Sequence, residues 1–374
     1  MDTPRSINEL GDIAGKKVMV RLDLNVPIAD GKVFDDFRIL KSLPTINYLK
    51  DKGARLIIIS HIGEDQKETL RPIADYLGIK LLPADPKDPQ VKEGIDKMKD
   101  GEMVMLDNLR QNPGEVLDNE IFAKDLASLA DIYVNDAFAV MHRKHASIVS
   151  LPKLLPGFMG FLVADEIKHL SMAFNPEHPF LFIVGGAKFA TKIVLVKKFI
   201  DIADRVFVGG ALSNTVFKYF GLEVGRSLVD EKYLDLDFLK DNPKILFPLD
   251  VKVVNRIEIG GAIKKPNEVL VEDNMLDIGT ETVAMLQKEI STAKFILWNG
   301  PLGNYEKGFE ETNEDIAKLI SESGAVSIVG GGDTVASIKN LNLLDKFTFV
   351  SSGGGAMLDF LANGTLPGIE ALGR

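Results

Sequence analysis

The stretch His142-Arg143-Lys144-His145-Ala146-Ser147, with the Pro- and Gly-marked crossing from Leu151 to Gly160 behind it, divides the chain into two parts of different composition. Nine of the 33 glycines lie in residues 1–150, and the others all follow. Before the crossing stand Arg38, His61, Arg110 and Arg143; after it come glycine clusters at 185–186, 209–210, 330–332 and 353–355. This pattern implies two domains with a ligand shared between them. One gathers cations around an anion, and the other brings bare backbone up to a ligand.

Bulk properties bound the class. At 374 residues the chain is long enough for two ordinary domains. An apolar fraction of 45% and a charged fraction of 26% are those of a globular protein. No apolar run approaches the roughly 20 residues of a membrane helix, and Met1 to Asn8 carries no apolar signal region, so no membrane partner is expected. A net charge of −10 argues against a nucleic-acid partner, which needs a basic face. The absence of cysteine excludes disulfides and thiolate metal sites, and fits a reducing, cytoplasmic setting.

Strands and helices alternate. Lys17 to Leu24 reads as a strand ending at Asn25-Val26-Pro27. Ile39, Leu43, Ile46 and Leu49 have helical spacing, and Pro44 places the start of that helix near itself rather than near Arg38. Arg55 to Ser60 and Met103 to Leu106 are strands of the buried kind, with His61-Ile62-Gly63 and Asn108-Leu109-Arg110 at their exits. After the crossing, Phe180–Val184, Arg205–Val208, Phe295–Trp298, 325–329 and 347–350 are strands, most of them followed by glycines and then a helix. This alternation throughout predicts parallel sheets, whose carboxyl edges are where ligands bind.

Each glycine cluster has a bland reading as a tight turn, but four in one domain favour close approach of a phosphate to helix N-termini. No G-x-x-x-x-G-K-[ST] and no G-x-G-x-x-G occurs, which removes the Walker A loop and weighs against a dinucleotide-binding dehydrogenase. A nucleotide held by glycine-rich strand ends beside Lys188 and Lys192 fits best. Asp333, after three glycines, reads first as a helix N-cap and also as a carboxylate holding Mg²⁺ against phosphates, two roles that can hold at once. Asp23 and Asn25 read equally as turn-capping residues.

With these motifs in view, the chain resembles the phosphoglycerate kinase family from about Lys17 to Leu372. The resemblance rests on Asp23-Leu24-Asn25-Val26-Pro27, Ser60-His61-Ile62-Gly63, Asn108-Leu109-Arg110, Val134 to Phe138, His142-Arg143 and His145-Ala146-Ser147. It continues in Gly185-Gly186-Ala187-Lys188 with Lys192, Leu297 to Pro301, Gly330 to Thr334, Gly353 to Ala356 and Leu366 to Leu372. It implies an α/β protein of two Rossmann-like three-layer domains whose parallel sheets face each other across a cleft. The implied division is an N-terminal 3-phosphoglycerate domain, 1–155, an inter-domain crossing helix, 156–172, and a nucleotide domain, 173–357, with 358–374 packing back on the first. The implied activity is reversible phosphoryl transfer between 1,3-bisphosphoglycerate and ADP with Mg²⁺, in a hinge-bending cytoplasmic monomer.

By the same resemblance Asp23, Asn25, Arg38, His61, Arg110 and Arg143 hold 3-phosphoglycerate. Gly186, Lys192, Gly210, Asn299, Pro301 and Glu306 hold the nucleotide together with Gly331, Gly332, Asp333 and Thr334, Asp333 also taking the metal. Arg38, Lys188, Lys192, Gly332 and Gly355 are the implied catalytic set. The chain departs from the family pattern at Glu64-Asp65, where an Arg and a Pro usually stand, and the connection to Pro72 is short. A carboxylate in that place should cost substrate affinity unless Arg71 or a neighbour swings in or the loop turns Glu64 away. Thr191 replaces a frequent Asp. Glu64 is also what keeps open the alternative of a catalytically weakened nucleotide-binding homologue.

Overall fold

The computed structural model describes residues 4–64, 66–230, 232, 235–255 and 261–373. Asp65 therefore lies outside the described residues. Two compact units emerge: residues up to Lys168 joined by those from Asn363 onward, and His169–Ala362.

The first unit is built on six strands, β1 (Lys17–Leu22), β2 (Arg55–Ile59), β3 (Lys80–Leu82), β4 (Met103–Leu106), β5 (Ile132–Asp136) and β6 (Gly157–Met159). They lie in the order β3-β4-β2-β1-β5-β6, all pairs parallel. Val18, Val20 and Leu22 of β1 join Leu56 and Ile58 of β2 in a core completed by Ile39, Ile46 and Leu49. Burial on both faces is why these strands read as nearly unbroken apolar runs.

The helix carrying that apolar stripe spans Phe37–Asp51 and contains Pro44, so it starts about two turns earlier than the sequence predicts. Pro44 and Leu40 are both exposed. The hydrogen bond that proline removes thus lies on the solvent side, where water replaces it, and the helix continues. The first turn of this helix carries Arg38 to the sheet edge.

The predicted crossing helix also needs correction. Residues Gly157–Met159 are strand, because their backbone pairs with β5, and helix runs only over Phe161–Ser171. The return of the chain starts at Asn363 rather than at residue 358, since the helix Gly355–Asn363 runs unbroken to that point. The terminal helix Pro367–Leu372 then lies against the segment after β5. Gly368 donates from its amide to the Met141 carbonyl at 2.9 Å, and a Cβ there would sit 2.9 Å from Ile148 Cγ2.

The second unit has β7 (Phe180–Val184), β8 (Arg205–Val208), β9 (Ile245–Leu246), β10 (Val251–Val254), β11 (Ala262–Lys264), β12 (Asn274–Ile278), β13 (Phe295–Asn299), β14 (Val326–Gly330) and β15 (Phe349–Val350). The parallel sheet runs β9-β8-β7-β13-β14-β15. Contrary to the all-parallel expectation, β10, β11 and β12 form a separate antiparallel sheet ordered β11-β10-β12. It packs its own small core of Val251, Val253, Met275, Phe217 and Val224. Among the described residues no helix is long and apolar enough to cross a membrane.

Candidate functional sites

In the first unit the exits of β1, β2, β4 and β5 converge, as the carboxyl edge of a parallel sheet requires. Asp23, buried just past β1, accepts from Arg38 Nη1 at 2.9 Å, and the same nitrogen donates to the Asn25 carbonyl at 3.0 Å. Asn25 Oδ1 accepts the Gly63 amide at 2.9 Å, which ties the β1 exit to the β2 exit. Ser60 strengthens that tie: its hydroxyl donates to the Leu22 carbonyl at 2.8 Å and accepts the Leu24 amide at 3.0 Å. Asn108 accepts the amides of Ile62 and Arg110, both at 3.2 Å, and so fixes the turn that presents Arg110.

Charge coupling shows that these groups share one neighbourhood. Burial holds the His61 ring well below its ordinary pKa, and Arg21, Arg110, Arg143 and His145 push it the same way. His145 is pushed down to about 4 by burial and then by Arg21, Arg143 and Arg110. Imidazoles that stay neutral among three guanidiniums mark a place of strong positive potential, suited to a phosphate or carboxylate. Arg110 Nε is buried and, among the described residues, has no hydrogen-bond partner.

Glu64 neither turns away nor is replaced by Arg71. Its Oε2 lies 2.9 Å from Arg110 Nη1, and the same guanidinium nitrogen also donates to the Gly63 carbonyl. Arg71 faces Asp75 one helical turn on, at 4.0 Å.

The sequence reading missed Arg21 and Glu115. Arg21 lies inside β1 and is 1% exposed; Glu115, in the short helix Pro113–Val116, is fully buried. The signal for Arg21 was available: after Lys17 at its start, the strand is Val, Met and Leu but for one guanidinium, which has no bland explanation in a core. Glu115 had no comparable mark, since acids in Pro-Gly turns are commonplace.

The second unit contains a cavity of about 740 Å³ at the carboxyl edge of its parallel sheet. Gly186, Lys188 and Lys192 line it after β7, Gly210 after β8, Asn299 at the end of β13 and Pro301 after it. Glu306, Gly331, Gly332, Asp333 and Gly355 complete the predicted residues found there. Thr334 is not among them; it is fully buried, with its hydroxyl unpaired among the described residues.

Glycine is required around Lys192. The ammonium, 5% exposed as a residue, donates to the Gly185 carbonyl. A Cβ on Gly300, whose φ is +91°, would sit 2.3 Å from Lys192 Nζ and 2.3 Å from the Gly185 oxygen; one on Gly186, at φ +77°, would sit 2.7 Å from Nζ. Any side chain at either position would displace the cation. Burial, then repulsion from Lys188, lowers the Lys192 pKa to about 8, with Asp333 opposing.

Asp333 is not an N-cap. The cap position of the helix Gly332–Asn340 is Gly331, with φ +105°, and Asp333 falls inside the first turn, exposed toward the cavity. A carboxylate there is favoured by the helix dipole and is exposed to a cation entering the cavity. Asp277, at the end of β12, also lines the cavity and was missed. Burial raises it to about 7, opposed by the Thr312 hydroxyl, the Ile278 amide and Lys252, while Glu311 reinforces the rise. Its signal was an acid in the apolar run Met275-Leu276-Asp277-Ile278 before Gly279.

Residues 7–364 match the model of the family described as phosphoglycerate kinase. A curated phosphoglycerate kinase from Rubrobacter xylanophilus is 40% identical over 98% of this chain and 98% of its own length. Another from Dictyoglomus turgidum is 41% identical over 96% of both. The solved phosphoglycerate kinase of Coxiella burnetii superposes with a TM-score of 0.85 at 34% identity, covering 99% of this chain and 98% of its own.

Proposed function

We infer the chemistry from one premise: the chain belongs to the phosphoglycerate kinase family. It is a phosphotransferase with a carboxyl acceptor, moving a phosphoryl group reversibly between 1,3-bisphosphoglycerate and ADP to give 3-phosphoglycerate and ATP. The observation that carries this reading is identity near 40% along 98% of the chain, with the family's motifs at the strand exits. It leaves the weakened homologue without support.

The division of labour is our proposal. The first unit holds 3-phosphoglycerate through Asp23, Asn25, Arg38, His61, Arg110 and Arg143, a reading supported by the cation cluster. The second holds the nucleotide through the glycine-lined cavity, with Lys192 at the phosphates and Asn299 and Glu306 beside it. Glycine-rich turns opening the helices at Gly210, Gly332 and Gly355 leave amides free for phosphate oxygens.

The acceptor carboxylate of 3-phosphoglycerate is already ionised at neutral pH, so no general base is needed. Catalysis reduces to alignment and to neutralising charge on the transferring group. In this proposal Arg38, Lys188, Lys192 and the helix N-termini at Gly332 and Gly355 serve that end. Arg38 is prepared for it, because Asp23 and the Asn25 carbonyl fix one of its terminal nitrogens. Lys192 is prepared by its glycine cage.

The donor set fits Mg²⁺ as the metal of a nucleotide complex. Asp333 offers one exposed carboxylate at the cavity, and Mg²⁺ takes one or two carboxylates with phosphate oxygens supplying the rest. When bound, the ion would neutralise phosphate charge. The remainder of the proposal is a cytoplasmic monomer with no nucleic-acid or membrane partner; the net charge of −10 supports the nucleic-acid clause. Light scattering after size exclusion tests the monomer. The activity is tested by coupling 3-phosphoglycerate and MgATP to glyceraldehyde-3-phosphate dehydrogenase, and no oxidation of reduced nicotinamide above the blank would sink it.

A further inference from the structure

Four residues from separate elements form one buried line of hydrogen bonds in the first unit. Glu115 accepts at both oxygens from Ser147: the amide at 2.9 Å on Oε2 and the hydroxyl at 2.6 Å on Oε1. The Ser147 hydroxyl in turn accepts from Arg21 Nε at 3.0 Å. Arg21 Nη1 donates to the Leu22 carbonyl, and Nη2 lies 3.3 Å from His61 Nδ1. Tyr133 fixes the serine backbone by donating to its carbonyl at 2.5 Å. Glu115 and Ser147 are fully buried, and Arg21 is 1% exposed.

The direction of each bond follows from chemistry. A guanidinium has only donors, so His61 Nδ1 must accept and cannot carry the ring hydrogen. The serine hydroxyl has one hydrogen, which it gives to Glu115, leaving its lone pairs for Arg21. A buried Arg without a counter-charge is costly, and Glu115 supplies the strongest attraction offsetting the burial of Arg21. We propose that Glu115, acting through Ser147, is a positioning residue that aims Arg21 at His61 and fixes the His61 tautomer with its hydrogen on Nε2. His61 then meets an anionic substrate as a neutral, oriented donor. The depressed pKa of the His61 ring agrees, its causes being burial and then Arg21, Arg110, Arg143 and His145. Glu115 itself is raised by burial and drawn back by Arg21 and by the two Ser147 donors.

This rests on the reading of the first unit as the 3-phosphoglycerate side, and the test separates the two. The full-length protein with ¹⁵N-labelled histidine is compared with Glu115→Gln and Ser147→Ala, His61→Gln serving to assign the ring. In the wild type, long-range ¹H–¹⁵N spectra should show His61 Nδ1 as a hydrogen-bonded acceptor and Nε2 protonated. In both variants Nδ1 should move toward the position of an imidazole nitrogen that accepts nothing. The KM for 3-phosphoglycerate should rise roughly three- to tenfold while that for MgATP stays put, as for the loss of the net contribution of one ordinary hydrogen bond. Ser147→Ala changes no charge, so it decides alone if Glu115→Gln does not fold. An unmoved Nδ1 signal overturns the proposal whatever the kinetics, and so does a moved signal with an unchanged KM. If His61→Gln also leaves that KM unchanged, it is the substrate assignment that has failed.

Discussion

Glu64 gives the sharpest test, because its carboxylate sits on Arg110, a cation proposed above to hold the anionic substrate. Glu64 Oε2 is 2.9 Å from Arg110 Nη1, and the two ends of this pair differ in burial: the Arg110 side chain is 6% exposed, that of Glu64 83%. An exposed partner limits what the pair is worth. Such ion pairs contribute about 0.2–1 kcal/mol after screening. A phosphate approaching Arg110 must break that contact, so Glu64→Gln should lower the KM for 3-phosphoglycerate by roughly 1.5- to fivefold. Glu64→Arg removes the competitor and adds a charge-assisted donor, so its KM should fall further. The cavity proposed for MgATP is lined wholly by residues of the other unit, so the KM for MgATP should not move. The assay is steady-state turnover with each substrate titrated, at about 20 mM and about 300 mM salt, since an electrostatic gain shrinks as the Debye length shortens. An unchanged 3-phosphoglycerate KM in both variants at low salt would refute the reasoning. So would a gain that persists undiminished at high salt.

Other outcomes follow from the same geometry. Arg38→Ala should reduce kcat by about 10²- to 10³-fold, as for loss of one preorganised charge donor, with MgATP binding by calorimetry nearly unchanged. Asp333→Ala should raise the free Mg²⁺ needed for half-maximal rate several-fold while leaving the melting temperature within a few degrees, because the residue is exposed and is not the helix cap. Lys192, lowered to about 8, sheds its proton before the unfolded chain does, so binding an anionic phosphate there should take up a proton. Calorimetry of ADP binding at pH 8.5 in buffers of different ionisation enthalpy should show that uptake, and Lys192→Met should abolish it. Asp277, raised to about 7, binds a proton in the folded state that the unfolded chain releases near its ordinary value. Its contribution to stability is therefore fully present at low pH and is lost as pH rises toward about 7. Asp277→Asn, which keeps an acceptor for Thr312 and Ile278, should raise the melting temperature more at pH 8 than at pH 5.

Periodicity revealed the parallel sheets because strands buried on both faces leave unbroken apolar runs, as in Arg55–Ile59 and Phe180–Val184. It failed where another force set the backbone. Pro44 argued locally against a helix that solvent makes tolerable. Gly157–Met159 is three residues long, too short for any period, and is strand because β5 on one side and the Arg5–Ser6 backbone on the other offer it partners. The antiparallel sheet alternates buried and half-buried residues along Val251–Val254, a pattern hidden in so short a run.

The candidate sites were legible to the extent that their chemistry stands at strand exits. Asp23, His61, Arg110 and Asn299 all follow strands or end them, and a reader who knows that ligands gather at carboxyl edges finds them. What stayed hidden lies a layer below. Arg21 lies in a strand, Ser147 in a π-helical turn 126 residues further on (Ala146–Ser150), and Glu115 in a short helix 94 residues from Arg21 along the chain. Nothing in their spacing announces that they meet, because tertiary packing alone brings them together. Their burial is what makes the meeting consequential. In water the Ser147 hydroxyl would exchange partners freely; enclosed, its single hydrogen must go to Glu115 and its lone pairs to Arg21, so the geometry of one acid is passed to a histidine at the site.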